Sequence, residues 1–444
     1  MRGRGVRSVA GLKGSDGEFP RTQGGFHYAF LIVAACLVLT GIPGSMPMNC
    51  AGSFFTPVSS YFGVPKAQFT LYFSIMNISS MLFLPFAGKL MGRCNLRALL
   101  SVACLAEGIV FIAMSWFGAI WMFYVAGAIL GLTVTPVLFL AAPQLIDNWC
   151  RAKVGFFVGL AMAASGIGGM LFNLLAGYLC SLAPDGWRIG YLVYGLIILF
   201  VALPFTFFVV RTHPAEKGLR RYGEAGSKAL ESSLAANGVQ DAVVYGVSAN
   251  RATRTIAFAA IAAFSFILSI EQTTYQFFAS YCYTFDDAAI TMAAGLIPAA
   301  CMGSQAVAKV LLGTLSDHKP RTALLIALGG GIVGLLILWL FPLGVAPMVL
   351  GAIVYGALFS ANSVLAPLMI RCVFGSRCYA EINSRRVVFS TLSFAFAAAF
   401  WGVVVDLPNG YSIMFAASIV LALVAAALGL FAYSKTGAYE QTAE

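Results

Sequence analysis

Apolar runs alternate with short polar or charged breaks along almost the whole chain of 444 residues. A helix that crosses the hydrocarbon core of a bilayer needs about 20 mostly apolar residues. Twelve runs reach that length, at 28–60, 67–90, 96–115, 119–145, 153–180 and 187–210, then at 254–282, 288–314, 321–341, 345–371, 380–405 and 411–433. The first is long and holds GIPGSMP, residues 41–47, a cluster that predicts a break or kink. A polar segment from Arg211 to about Asn250, rich in Ala, Gly, Ser and charge, divides the runs six and six. The pattern therefore predicts an all-α membrane protein with twelve transmembrane helices. The expected organisation is a tail over 1–27, a six-helix bundle over 28–210, a linker over 211–253, a second bundle over 254–433 and a tail over 434–444.

Composition agrees with the pattern: 60% of residues are hydrophobic and 10% charged, whereas soluble domains carry about 25% charged residues. The net charge of +10 has a topological explanation. Cytoplasmic loops of membrane proteins hold the excess of Lys and Arg. With a cytoplasmic N-terminus, 24 of the 27 basic residues fall on the cytoplasmic side; Lys66 and Arg188 fall outside and Lys309 lies within a run. No nucleic-acid partner is needed to account for the charge. The expectation is a multi-pass protein of the cell (plasma or inner) membrane with both termini cytoplasmic. The first residues are basic but too poor in apolar positions to serve as a signal peptide.

Several chemistries are set aside by the same reading. The ten cysteines have no C-x-x-C pairing, and the three histidines, His27, His213 and His318, stand at run ends or in loops. Neither a metal site nor an intramembrane hydrolase has its raw material, so no cofactor, no metal and no enzyme activity is expected. GGGIVG, residues 329–334, has the spacing of a dinucleotide loop but lies mid-run with no preceding strand. Gly155, Gly159, Ala163, Gly166, Gly168 and Gly169 line the fifth run with small residues, which is expected to serve close helix packing.

The two halves share a motif. GKLMGRCNLR, residues 88–97, and GTLSDHKPR, residues 313–321, each follow the second run of their half, 225 residues apart. Both resemble the G-x-x-x-D-R-x-x-R loop of the major facilitator superfamily, which implies two pseudo-symmetric six-helix bundles that rock around a central site. In that family the motif is a gate, so the resemblance implies gating positions at Gly88, Arg93, Arg97, Gly313, Asp317 and Arg321, with the two glycines allowing close helix approach. Gly92 stands where the first copy should have its acid. NWCRAKVGFFVGLAMAASGIGG (148–169), GWR (186–188), residues 50–93 and FGSRCYAEI (374–382) are similar to the monocarboxylate transporter and oxalate/formate antiporter branch.

Ionisable groups inside membrane runs are costly and therefore candidate functional groups. There are three, Glu107, Glu271 and Lys309. Glu107 is in the third helix, which the resemblance places at the periphery. Glu271 is in the seventh, which the family uses to line its cavity, with Thr274, Tyr275 and Phe278 on its face. Lys309 stands four residues before Gly313, where the monocarboxylate branch carries a basic residue that binds the substrate carboxylate. Its rival reading is a lysine that snorkels toward the cytoplasm. Against the branch, Gln305 stands where proton-coupled members often carry Asp, Asn49 where they carry Lys, and no lysine occurs in the eleventh helix.

The expected function is secondary transport of a small organic anion, a monocarboxylate, by alternating access. Lys309 would clamp the carboxylate, a single cation suiting a singly charged anion. Asn49, Tyr72, Gln144, Gln272, Tyr275, Gln305 and Asn362 are expected to line the cavity, and Glu271 to carry a proton or select a substrate hydroxyl or amine. Partners would be the anion, a proton or counter-anion, and the lipid bilayer, with the protein working as a monomer. The alternative is a facilitator or exporter of uncharged or cationic small molecules that uses Glu271 for recognition.

Overall fold

The computed structural model describes residues 27–223, 247–375 and 378–436. Residues 1–26, 224–246, 376–377 and 437–444 lie outside the described residues, and with them most of the expected tails and the middle of the expected linker. Among the described residues, twelve helices are long and apolar enough to cross a membrane. They are α1 (Ala29–Asn49), α2 (Lys66–Arg93), α3 (Leu96–Met114), α4 (Ile120–Trp149), α5 (Val154–Ser181), α6 (Gly186–Val209), α7 (Ile256–Cys282), α8 (Leu296–His318), α9 (Pro320–Leu340), α10 (Val345–Phe374), α11 (Tyr379–Val405) and α12 (Gly410–Ser434).

Local sequence explains the breaks. The α1 helix is interrupted after Gly41 and continues as an outer extension, Gly52–Phe62, which ends on Gly63 in the left-handed conformation. In α4, Pro136 removes a backbone donor, and the helix widens to a π turn over Thr135–Leu140. Asn95 caps α3 by accepting from the Arg97 N–H at 2.9 Å, and Thr255 caps α7 by accepting from Phe258. Pro320 opens α9, where its missing N–H costs nothing.

The helices form two six-helix bundles, α1–α6 and α7–α12, which meet mainly along α2 with α11 and α5 with α8. The molecule has two ends: a basic end, at the loops after α2, α4, α8 and α10, and a far end, at the loops after α5, α7 and α11. The far end is shut. Gln276 of α7 reaches into the first bundle, its Oε1 accepting from the Gly52 N–H at 2.7 Å and its Nε2 donating to the Met48 carbonyl at 2.6 Å. A methyl group on Gly177 of α5 would lie 2.5 Å from the Cα of Gly295 at the start of α8, so only glycine lets these backbones touch. The Asp406 carboxylate caps α2 from the other bundle, accepting from the N–H groups of Ala67 at 2.8 Å and Lys66 at 3.2 Å.

The basic end is open. A methyl on Gly88, Gly155, Gly159 or Gly313 would meet nothing within 4 Å. In this conformation the helices around Gly88 and Gly313 are apart, so the close approach expected of these glycines is not made here. The small-residue stripe of α5 divides likewise, its inner members Gly166, Gly168 and Gly169 packed against α8 and α1 while Gly155 and Gly159 line open space.

Candidate functional site

A cavity of about 1050 Å³ lies between the bundles and reaches the basic end, where Gly155 and Gly313 line it. Five of the expected lining residues are on its wall: Asn49, Gln272, Tyr275, Gln305 and Lys309. The roof is a set of hydrogen bonds within the first bundle and between the two. Tyr275 donates its hydroxyl to the Asn49 carbonyl. Asn49 in turn donates through Nδ2 to the Ser165 carbonyl at 3.0 Å, tying α1 to α5. Gln305 is buried; its Nε2 faces the Met302 sulfur at 3.4 Å, and its Oε1 has no partner among the described residues.

Lys309 sits one turn before Gly313 on α8, half-buried in the wall. No ion pair joins it to any described carboxylate. The one ion pair among the described residues is Arg385 with Glu381 at 2.7 Å, on the surface of α11. A primary ammonium in a cavity walled mainly by apolar groups gains from an anion far more than it would in water.

Four expected lining residues lie elsewhere. Tyr72 is packed inside the first bundle with Phe69 and Phe123, beside Phe54 and Tyr191, because its face of α2 turns toward α4. Gln144 is near the basic end, where its Nε2 donates weakly to the Met91 carbonyl at 3.4 Å. Glu271 is fully buried behind the wall: the Tyr355 hydroxyl donates to its carbonyl at 2.6 Å and its Oε2 at 3.2 Å, and Oε1 is without a partner among the described residues. Asn362 is buried behind Gln272. Successive helical residues turn by about 100°, so Glu271 and Thr274 face α10 and α12 while Tyr275, one residue on, faces the cavity and α1.

Glu107 lies away from the cavity, but its side chain does not face lipid. It is buried in the first bundle, both carboxyl oxygens lacking a partner among the described residues, on the stretch of α3 that packs against α6 through Gly108. Of the gating positions, Arg97 stacks over the Phe207 ring at 4.7 Å, and Arg321 donates to the Tyr433 carbonyl at 3.2 Å. The side chains of Arg93 and Asp317 lie outside the described residues.

One cation was misplaced by sequence reasoning. Arg386, counted with the basic residues of the cytoplasmic side, is only 6% exposed inside α11. Its Nε donates to Asn383 Oδ1 at 2.9 Å, and its Nη1 to Ser265 Oγ at 3.1 Å and Asn362 Oδ1 at 3.4 Å. The available signal was its position seven residues inside α11, with Asn383 one turn earlier. Two adjacent arginines cannot share a helix face, so Arg385 takes the surface and Arg386 the interior. Lys309 and Arg386 are thus two cations set into the interior of the second bundle without an ion pair among the described residues.

These features define a polytopic carrier with a central cavity open to one side. The Major Facilitator Superfamily profile matches residues 29–375, and the chain belongs to that superfamily of membrane transporters, which work by alternating access. No curated protein matches the chain. Among solved structures it is similar to a bacterial homolog of the human lysosomal transporter Spinster in an inward-facing, occupied conformation, at 14% identity and a TM-score of 0.72, covering 95% of this chain and all of that one. It is also similar to the nucleoside transporter NupG (13% identity, TM-score 0.68, 92% of this chain and 99% of that one). A D-xylose-proton symporter aligns at 16% identity and a TM-score of 0.64, over 90% of this chain and 97% of that one. At such identities the likeness is one of fold.

Proposed function

We propose that this transporter carries a small organic anion, a monocarboxylate, bound at Lys309. The observation behind the proposal is a half-buried ammonium on the wall of the central cavity with no ion pair to a described carboxylate. Leaving such a charge uncompensated in a low-dielectric site is unfavourable, and a carboxylate substrate offsets that cost. Snorkelling is a weaker account, because Lys309 is a wall residue of a cavity that already reaches the basic end. Recognition of a cation by Glu271 is weaker as well, since that carboxyl is fully buried and engaged by Tyr355 behind the wall.

With the basic end placed in the cytoplasm of a cell membrane, the cavity is open to the cytoplasm and the far end is the closed extracellular gate. The transport cycle then breaks the contacts of Gln276, Gly177 and Asp406 and brings together α5 and α8 around Gly155, Gly159 and Gly313. Lys309 and Gly313 share α8, so binding at one and closure at the other involve the same rigid element.

The test is uptake of radiolabelled acetate, propionate and benzoate into proteoliposomes by the wild type, Lys309→Gln and Lys309→Arg. Anion uptake that survives Lys309→Gln unchanged removes the proposal. A proton gradient across some vesicles and unlabelled anion preloaded in others separate proton cotransport from exchange, and Glu271→Gln shows whether that buried carboxyl carries the coupled proton.

A further inference from the structure

Gln272 lines the cavity on α7, and both ends of its amide are fixed by partners that have only one possible role. A guanidinium donates hydrogen bonds and accepts none. Arg386 Nη1 therefore requires the oxygen of the Asn362 amide to face it, at 3.4 Å. The Asn362 Nδ2 is turned the other way and donates to Gln272 Oε1 at 3.0 Å and to Ser269 Oγ at 3.0 Å. Ser269 gives its own hydrogen to the Ser265 carbonyl at 2.9 Å, which leaves its oxygen as the acceptor Asn362 needs. At the far end of this relay Gln272 Nε2 donates to the Phe359 carbonyl at 2.7 Å, a group that can only accept. One amide hydrogen of Gln272 then remains without a protein partner among the described residues.

We infer that Arg386 is a positioning residue for the anion: through Asn362 it sets the polarity of the relay, so that Gln272 offers the cavity an N–H donor while its oxygen is held in the wall. Without the guanidinium, the Asn362 oxygen loses this donor, and the amide is held only through Nδ2, by Ser269 Oγ and Gln272 Oε1. The Phe359 carbonyl still takes one Gln272 N–H, but the hold on Gln272 Oε1 loosens and the remaining N–H is less firmly directed. The charge of Arg386 also polarises the chain of hydrogen bonds in the sense that strengthens the terminal donor. Lys309 on α8 and Gln272 on α7 thus act as two donors for one carboxylate, while Arg386, which is not on the cavity wall, acts through its neighbours.

This inference rests on the anion reading, and a double-mutant cycle in the proteoliposome assay separates the two. The probes are radiolabelled acetate, propionate and benzoate, with KM and kcat measured for Arg386→Gln, Gln272→Ala, their combination, Arg386→Lys and Lys309→Gln. Arg386→Gln and Gln272→Ala are each expected to raise KM about tenfold with little change in kcat, and the double variant to be no worse than Gln272→Ala alone. Arg386→Lys, which keeps one donor and the charge, recovers part of the affinity, and it carries the cycle if Arg386→Gln is not recovered folded. Additive effects of Arg386 and Gln272, or an unchanged KM in Arg386→Gln, overturn the relay while leaving the anion reading in place. Unchanged uptake in Lys309→Gln, or no uptake of any probe by the wild type, overturns both.

Discussion

The two walls of the cavity are made of different material. The α1–α6 wall is formed by apolar and small residues such as Phe73, Leu138, Phe156, Gly155 and Gly159, with Asn49 at the roof. The α7–α12 wall carries Lys309, Gln272 and Gln305, with Arg386, Asn362 and Glu271 behind it. The first wall suits a surface that slides and re-seats, since small residues allow backbones to approach. The second suits recognition, because it offers the Lys309 ammonium beside a Gln272 amide held by fixed hydrogen bonds. On the proposed function, the two bundles divide the tasks of moving and recognising between them.

The largest effect should come from removing the charge of the recognition wall. Lys309→Gln is expected to lower anion uptake by about 100-fold, the scale of one charge-assisted contact of 2–3 kcal/mol. Lys309→Arg should retain measurable uptake, read in the same proteoliposomes. Next comes the moving interface. Gly177→Val puts a side chain where a methyl already meets Gly295, so the far end cannot shut. It should reduce uptake at least about tenfold and protect a cysteine introduced at Thr314 from alkylation, since the population moves to the state closed at the basic end.

A smaller change is expected at the far-end latch. Asp406→Ala removes the cap on α2, and caps are worth about 1 kcal/mol, so the ratio of the two states should shift about fivefold and the same cysteine should be alkylated measurably more slowly. Unaltered alkylation would show that the latch does not bias the cycle. The smallest effect belongs to Glu107→Gln. This carboxyl touches neither the cavity nor the second bundle, and uptake should stay within about twofold of wild type, well under 1 kcal/mol. A larger loss would mean that the first bundle also handles charge and that the division between the walls is less complete.

Much of this was legible without coordinates. Twelve runs of apolar residues determine twelve helices, because a backbone in hydrocarbon must satisfy its own hydrogen bonds and length alone sets the crossing. Lys309 was visible for the related reason that a charge in such a run is costly wherever its helix points. Which way the other side chains face was not visible. Tyr72, Gln144, Glu271 and Asn362 lie on helices near the cavity yet turn away from it, since a rotation of one residue exchanges wall for core and the rotation is set by packing against neighbours. Arg386 was hidden beside Arg385 near a helix end, where sequence cannot tell a snorkelling charge from a buried one.

The order in which the relay is hydrogen-bonded, and the choice of a shut far end over a shut basic end, belong to the tertiary structure alone. Residues as distant as Gln272, Asn362 and Arg386, or Lys66 and Asp406, acquire their roles only when the bundles place them within about 3 Å of one another, where hydrogen bonds form. Hydrophobicity is additive along the chain and can be read locally. Hydrogen-bond polarity and gate closure depend on pairs, and the pairs exist only in the fold.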